Sequence, residues 1–75
     1  MRYQVFDPAT DEILSEQDSL SEAKIDAVFF ADESNIGIRD LEAAPGAVDL
    51  WSVSPDGTVK EITIKHDDPK REEGK

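Results

Sequence analysis

Hydrophobic residues recur along this chain with two different periods, and the change between them predicts its secondary structure. Between residues 19 and 34, apolar side chains lie three and four positions apart, which is the spacing of one side of an α-helix. These residues are Leu20, Ala23, Ala27, Phe30 and Ala31. The stretch opens with Ser19-Leu20-Ser21-Glu22, the S-x-x-E form of a capping box. The pattern predicts a helix that ends within residues 32–35, with Asn35 or Gly37 as a left-handed cap.

A strand through residues 27–31 is the alternative interpretation of the same stretch. Val28, Phe29 and Phe30 are β-branched or aromatic and have good strand propensity. The helix is preferred because its start signal and its apolar spacing agree with each other.

Outside the predicted helix, hydrophobic residues recur with a period of two. Five short segments, at residues 2–7, 12–16, 36–41, 48–54 and 58–65, alternate between apolar and polar side chains, as half-buried strands do. The second segment is short and acidic, which suits the edge of a sheet, where charges discourage unwanted pairing.

Turn residues join these segments into hairpins. In the turn at residues 7–11, Asp7 is expected to bond the amide two residues on, and Asp11 to take a left-handed conformation. In Pro55-Asp56-Gly57 the glycine is expected in the left-handed position, which closes a hairpin between the last two strands.

The elements follow the order β-β-α-β-β-β, which predicts an α+β fold. We expect one antiparallel sheet of four to five strands, with the helix packed on one face, within a single domain at residues 1–65. Residues 66–75 are wholly polar and mixed in charge, so a disordered tail is expected there. The helix is expected to cover an apolar sheet face made of Val5, Ile13 or Leu14, Ile36, Ile38, Leu50, Ile62 and Ile64.

Trp51 lies in the fourth strand, where both faces carry apolar side chains. Leu50 points to one face, and Trp51 and Val53 point to the other. If Leu50 packs under the helix, Trp51 is an exposed anchor of a binding or dimer surface, since tryptophan dominates interface hot spots. Phe29, outside the inward stripe of the helix, has the same ambiguity. The favoured alternative inverts the two faces and makes Trp51 a core residue.

Length and composition place limits on the class of protein. The chain has 75 residues and no cysteine, so one small core must hold it without disulfides. Its apolar runs are far shorter than the roughly 20 residues that cross a bilayer, and its first residues lack the apolar region of a signal peptide. A soluble, cytoplasmic protein is expected.

Charge is the outstanding property of the sequence. It contains 18 acidic and 8 basic residues, for a formal net charge of −10. Residues 7–49 hold twelve of the acids but only Lys24 and Arg39 as bases. Nucleic acid and anionic membranes are poor direct partners for such a chain, whereas a basic protein surface is a good one. The alternative is that the acids only keep the protein soluble or adapt it to high salt.

The sequence carries no pattern that indicates an enzyme, a metal site or a cofactor. His66, the single histidine, lies in the predicted tail, which cannot hold a base rigidly beside a nucleophile. The acids around Asp7 and Asp32 do not follow the spacing of a calcium loop, and no His or Cys set fits zinc. The four glycines are isolated, so a phosphate-cradling loop is not expected. We therefore predict a non-enzymatic protein.

Two functions are compatible with these features. In the first, carboxylates on the helix and the first hairpin imitate the phosphates of a nucleic acid and occupy the basic groove of a nucleic-acid-binding protein. In size, acidity and small α+β build, the chain resembles phage-encoded anti-defence inhibitors, including anti-CRISPR proteins and DNA mimics. This is a resemblance of profile and assigns no residues. The candidate partner-binding residues are Asp7, Asp11, Glu12, Glu16, Asp26, Asp32, Glu33 and Trp51.

In the second, the chain is a small homodimeric or scaffold module. Trp51 and an exposed strand edge would then mediate assembly, and the acids would serve solubility alone. The two hypotheses differ in the arrangement they require, because the first needs the acids to gather in space and the second expects them to be scattered.

Overall fold

The computed structural model describes residues 1–65, and the predicted tail at residues 66–75 lies outside the described residues. The elements in chain order are β1 (Tyr3–Asp7), β2 (Glu12–Gln17), α1 (Leu20–Phe30), β3 (Ile36–Asp40), β4 (Val48–Val53) and β5 (Val59–Ile64). All five strands form one antiparallel sheet in the order β2-β1-β3-β4-β5. The helix packs on one face of this sheet, which confirms the predicted α+β fold. The acidic strand β2 lies at a sheet edge, as its composition predicted.

Helix α1 begins where the capping box predicts. Ser19 is extended, with φ −128°, and its hydroxyl accepts a 3.2 Å hydrogen bond from the amide of Glu22. The hydroxyl in turn lies 3.4 Å from the Glu22 carboxylate, to which it donates. The helix ends earlier than expected, because the amide of Ala31 makes the last helical bond, 2.8 Å to the carbonyl of Ala27. The predicted left-handed cap is wrong, since Gly37 belongs to β3 and neither it nor Asn35 has a positive φ.

The predicted turns are confirmed. The Asp7 carboxylate accepts a 2.9 Å bond from the amide of Ala9, two residues on. Asp11 is left-handed, with φ 62°, and Gly57 has φ 92°. These local choices close the β1–β2 and β4–β5 hairpins with the register that pairs Asp7 with Glu12 and Val53 with Val59.

The core lies between the sheet and a helix side made of small residues. Ala23, Ala27 and Ala31 are buried, so the helix approaches the sheet closely over the fully buried Val5 and Ile38. The prediction that Phe30 also faces inward is wrong. Phe30 is 37% exposed, because it lies at the margin of the alanine side and in the last turn of the helix.

In β4, Trp51 faces the helix side of the sheet and Leu50 faces the other side, which is the reverse of the arrangement with Leu50 under the helix. Trp51 pairs with Ile38, is 7% exposed and has its ring centroid 6.2 Å from that of Tyr3. The idea of Trp51 as an exposed anchor is therefore wrong, and its alternative placement in the core is correct. The physical reason is volume, because a helix that presents alanines leaves room that a large indole fills. Leu50 and Ile62 instead line the opposite face, and Ile64 is 55% exposed.

On that opposite face, which we call the open face, Phe6 covers the centre of the sheet. Phe6 pairs with Gly37 across β1 and β3, and its ring lies where a side chain at Gly37 would be. The guanidinium of Arg39 lies 4.3 Å from the centroid of this ring. As a result Phe6 is only 8% exposed, although no second layer covers this face among residues 1–65.

Candidate functional site

The sheet topology brings distant acidic residues to one end of the molecule. Strands β1 and β4 run toward this end, β2, β3 and β5 start from it, and α1 finishes there. The β1–β2 turn, the α1–β3 connection and the β4–β5 turn therefore lie side by side. We call this region the acidic end, and its acids are Asp7, Asp11, Glu12, Asp32, Glu33 and Asp56.

The acidic end contains electrostatic conflicts, although Asp7 also stabilises the β1–β2 turn through its bond from the Ala9 amide. Asp7 and Glu12 are direct cross-strand partners, and like charges in this arrangement are destabilising. Asp32 and Glu33 follow the helix C-terminus, which already carries the negative end of the helix dipole, and the last turn contains no basic residue. Natural sequences break such local rules mainly at functional sites.

Arg39 is the base that contacts this end within the described part of the chain. Its Nη2 donates a 3.4 Å hydrogen bond to Oδ1 of Asp11, whose side chain is 75% exposed. A long, exposed ion pair of this kind contributes little to stability. Arg39 therefore offsets only a small part of the negative charge, and its flat face is already engaged by Phe6.

Five of the eight predicted partner-binding residues lie at the acidic end, namely Asp7, Asp11, Glu12, Asp32 and Glu33. Three do not. Glu16 lies on the open face of β2, where its carboxylate accepts a 3.2 Å bond from Gln4. Trp51 is in the core. Asp26 joins the helix to β2, because its Oδ2 accepts 2.6 Å hydrogen bonds from the Ser15 hydroxyl and the Gln17 amide.

At the opposite end of the sheet, the buried Asp40 is paired with Arg2, whereas Asp18 and Glu42 are exposed and form no ion pair among residues 1–65. Asp40 is 7% exposed, and both of its oxygens accept hydrogen bonds from Arg2, at 2.9 Å from Nε and 3.0 Å from Nη2. The amide of Glu42 donates a third bond, also of 2.9 Å. The bonds from Arg2 hold the pKa of Asp40 below its ordinary value. In the same way, the bonds from Ser15 and then Gln17 lower the pKa of Asp26.

A second surface lies next to the acidic end, and the sequence indicated it only through the position of Phe29 outside the inward stripe of the helix. Ile25 and Phe29, one helical turn apart on the outer side of α1, are 68% and 79% exposed. Phe29 contacts Phe30 edge to face, with ring centroids 5.3 Å apart. The signal available in the sequence was the unusual distribution of size in the helix, with alanines at the inward positions and larger apolar residues elsewhere.

A groove runs beside this outer side of the helix. It has a volume of about 400 Å³ and lies between α1 and the β4–β5 hairpin. Its lining is mostly apolar and consists of Lys24, Ile25, Val28, Gly57 and Val59. The groove exists because the helix lies over β1, β2 and β3, with little contact to β4, and leaves β5 exposed on the same face.

In the described range 1–65, no three acidic or histidine side chains lie close enough together to hold a metal ion. Helix α1, the helix of that range, is not long and apolar enough to cross a membrane. No protein-family model matches the sequence, and neither a curated protein nor a solved structure is significantly similar to it.

Proposed function

We propose that this chain is a non-enzymatic protein-binding module that presents its acidic end to a basic protein surface. The observation that supports the proposal is the concentration of mutually repelling charges at one end of the fold. Asp7 opposes Glu12 across the hairpin, and Asp32 and Glu33 follow the negative end of the helix. A cationic partner would relieve all of these repulsions at once.

The expected partner is a protein that binds nucleic acid. Lysine and arginine side chains spaced to contact phosphates are suited equally to a row of carboxylates, and complementary fields accelerate such an encounter. The module would then compete with the nucleic acid for its groove, which is the mode of action of the anti-defence inhibitors and DNA mimics that its profile resembles. The proposal includes a cytoplasmic location, where such a partner works, and excludes direct binding to nucleic acid.

Capture from a lysate of the source organism tests this function. Purified protein on a resin is mixed with lysate in about 0.15 M salt and in about 1 M salt, which shortens the screening length from about 8 Å to about 3 Å. We expect a basic nucleic-acid-binding protein at low salt only, and we expect added DNA duplex to displace it.

Two triple variants with the same change in charge locate the binding surface. The first reverses Glu12, Asp32 and Glu33 to lysine and is expected to abolish capture. The control reverses Asp18, Glu42 and Glu61, which are also exposed but lie away from the acidic end, and is expected to retain most of it. Equal loss in both variants would mean that net charge, rather than this surface, attracts the partner.

A homodimeric module is the second candidate function. It no longer involves Trp51, and the observation in its favour is the edge strand β5, where Ile62 and Ile64 are 52% and 55% exposed. Sedimentation equilibrium of the purified protein distinguishes the two functions. A dimer that persists in about 1 M salt supports the homodimer, while a monomer in both salts leaves the acidic module as the better description.

A further inference from the structure

The outer side of helix α1 and the adjoining groove form an apolar surface without a covering element in the described structure. We define the helix ridge as Ile25, Val28, Phe29 and Phe30, whose exposed fractions are 68%, 42%, 79% and 37%. Taking about 150–250 Å² for a whole aromatic side chain, the ridge exposes on the order of 400 Å². The largest apolar patch on a typical monomer is about this size, and it is often functional.

This exposure is not needed for folding. The side of α1 that packs on the sheet consists of three alanines and Leu20, so the strongly exposed Ile25 and Phe29 add little to the core. An exposed phenylalanine and isoleucine one turn apart carry an aggregation risk that polar residues would avoid. The aggregation risk that these two side chains bring to the free protein is offset if the ridge is buried in a complex.

The groove supplies a depression beside the ridge. The groove, of about 400 Å³, lies between the helix and the β4–β5 turn, with Lys24, Ile25 and Val28 on one wall and Val59 and Gly57 on the other. Gly57 has no side chain to obstruct the entrance. A ridge next to a groove is the arrangement by which helical surfaces receive the apolar side of an amphipathic helix.

The acidic residues beside the helix ridge indicate which kind of partner can bind there. The ridge continues directly into the acidic end, since Asp32 and Glu33 follow Phe30 and Ala31 in the chain, and Asp56 precedes Gly57 at the groove. A second copy of this chain would bring two molecules of net charge −10 together. It would also find about half of the roughly 800 Å² per partner that a stable interface buries. A basic partner avoids this repulsion and extends the buried area onto the acidic end.

We infer that the helix ridge and its groove bind a basic amphipathic helix of the partner protein, with the apolar side of that helix against Phe29 and Ile25 and its lysines or arginines toward Asp32, Glu33 and Asp56. This inference rests on the proposed function, because the basic partner is the one proposed above. It adds a second, apolar contact, less sensitive to salt and too small to hold the partner alone, to the electrostatic one.

The test uses three synthetic peptides of about 18 residues, or five helical turns. One has leucine along one side and lysine elsewhere, one has the same composition in scrambled order, and one has glutamate in place of lysine. Binding is measured by calorimetry, and its location by NMR shifts of the backbone amides. We expect the leucine–lysine helix to bind and to shift the amides of α1 and of the β4–β5 turn, and we expect the other two peptides to bind far more weakly.

The double variant Ile25→Ala/Phe29→Ala is the decisive one. It should fold normally, as judged by circular dichroism, since both side chains point to solvent, and it should weaken binding of the leucine–lysine peptide by about 30-fold or more. The matched control Ile62→Ala/Ile64→Ala, also exposed and apolar, should change affinity less than threefold.

Equal binding of the scrambled peptide, or unchanged affinity in the ridge variant, would overturn the inference. A dimer of the free protein that the ridge variant dissociates would overturn it too, because the occupant would then be a second copy.

The capture experiment separates this inference from the function on which it rests. If the ridge variant still captures the same basic protein from lysate as tightly as the native chain, the acidic module stands and the ridge contact is wrong. If no basic protein is captured by the native chain, the proposed function fails, whether or not the leucine–lysine peptide binds.

Discussion

At the scale of single residues, the lack of a side chain at Gly37 leaves room for the ring of Phe6 on the open face. Phe6 lies directly across from it in the sheet. A Cβ built on Gly37 would be 2.5 Å from Cζ and 2.7 Å from Cε1 of the Phe6 ring, well inside van der Waals contact. The ring is held in place from its other side by Arg39. An aromatic ring laid over a glycine in a neighbouring strand restores the packing that the glycine lacks.

The substitution Gly37→Ala is therefore expected to destabilise the protein. The ring must move to accept the methyl group, and overpacking of this kind costs about 1–3 kcal/mol. The free energy of unfolding in urea measures the effect. The double variant Phe6→Leu/Gly37→Ala removes the clash and should be less destabilised than the sum of its single changes. Strict additivity, or a Gly37→Ala variant as stable as the native chain, would contradict this account.

At the scale of elements, α1 combines two unusual features. Its buried side is made of alanines together with Leu20, and its other large apolar residues are exposed to solvent. Its N-terminus is well capped by Ser19 and carries the acid Glu22, whereas its C-terminus is followed by two further acids. The first arrangement complements the helix dipole and the second opposes it.

Reversal of the two C-terminal acids should stabilise the free protein. Asp32→Lys/Glu33→Lys replaces repulsion with attraction at the negative end of the dipole, for a gain of about 0.3–1 kcal/mol per residue at low salt. Thermal unfolding measures it, and the gain should shrink in about 1 M salt. The opposite change at the other helix end, Asp18→Lys, should reduce stability slightly. A loss of partner capture together with a rise in stability would identify these acids as retained for binding rather than for folding.

At the scale of the whole molecule, two buried or half-buried carboxylates tie separate parts of the fold together. Asp40 connects the start of the chain to β3 through Arg2, and Asp26 connects the helix to β2. Hydrogen bonds lower the pKa of both groups in the native state. Because the folded pKa is lower than that of the unfolded chain, the stabilisation is complete above the ordinary carboxyl pKa near about 4. It is lost as the pH falls through the folded value.

The variant Asp26→Asn/Asp40→Asn should therefore differ most from the native chain above about pH 5. The difference between their free energies of unfolding should decrease as the pH falls below about 4, because the native carboxylates then become neutral as well. Urea unfolding at a series of pH values measures this difference and cancels the general effect of discharging the other acids. A difference that stays constant down to about pH 2 would show that the two groups stabilise the fold without their charge.

Local chemistry was enough to predict every element of the fold. The capping box at Ser19, the left-handed Asp11 and Gly57, and the alternation of the strands each depend on a few neighbouring residues. The wrong predictions concern positions whose structure depends on contacts with distant parts of the chain. The helix was expected to end within residues 32–35, but it ends at Phe30 because the chain must return to pair Ile36 with Val53.

The candidate site was predicted in part. Asp7, Asp11 and Glu12 are neighbours in the chain, so any hairpin brings them together. Their proximity to Asp32 and Glu33 follows from strand order, which no short stretch contains. Asp26 has the same chemistry and lies nearer to the first hairpin in the chain than Asp32 does, yet it turns to Ser15 and Gln17 instead.

The sequence by itself determined the elements, the turns and the excess of negative charge, because these depend on local spacing and on composition. Only the tertiary structure decided that Trp51 lies in the core on the helix-covered face while Leu50 lies on the open face, and that Ile25 and Phe29 face solvent. The physical reason is that alternation sets which residues share a face but not which face is covered. That choice depends on how volumes match across the core, and here a helix side of alanines is matched by the indole of Trp51.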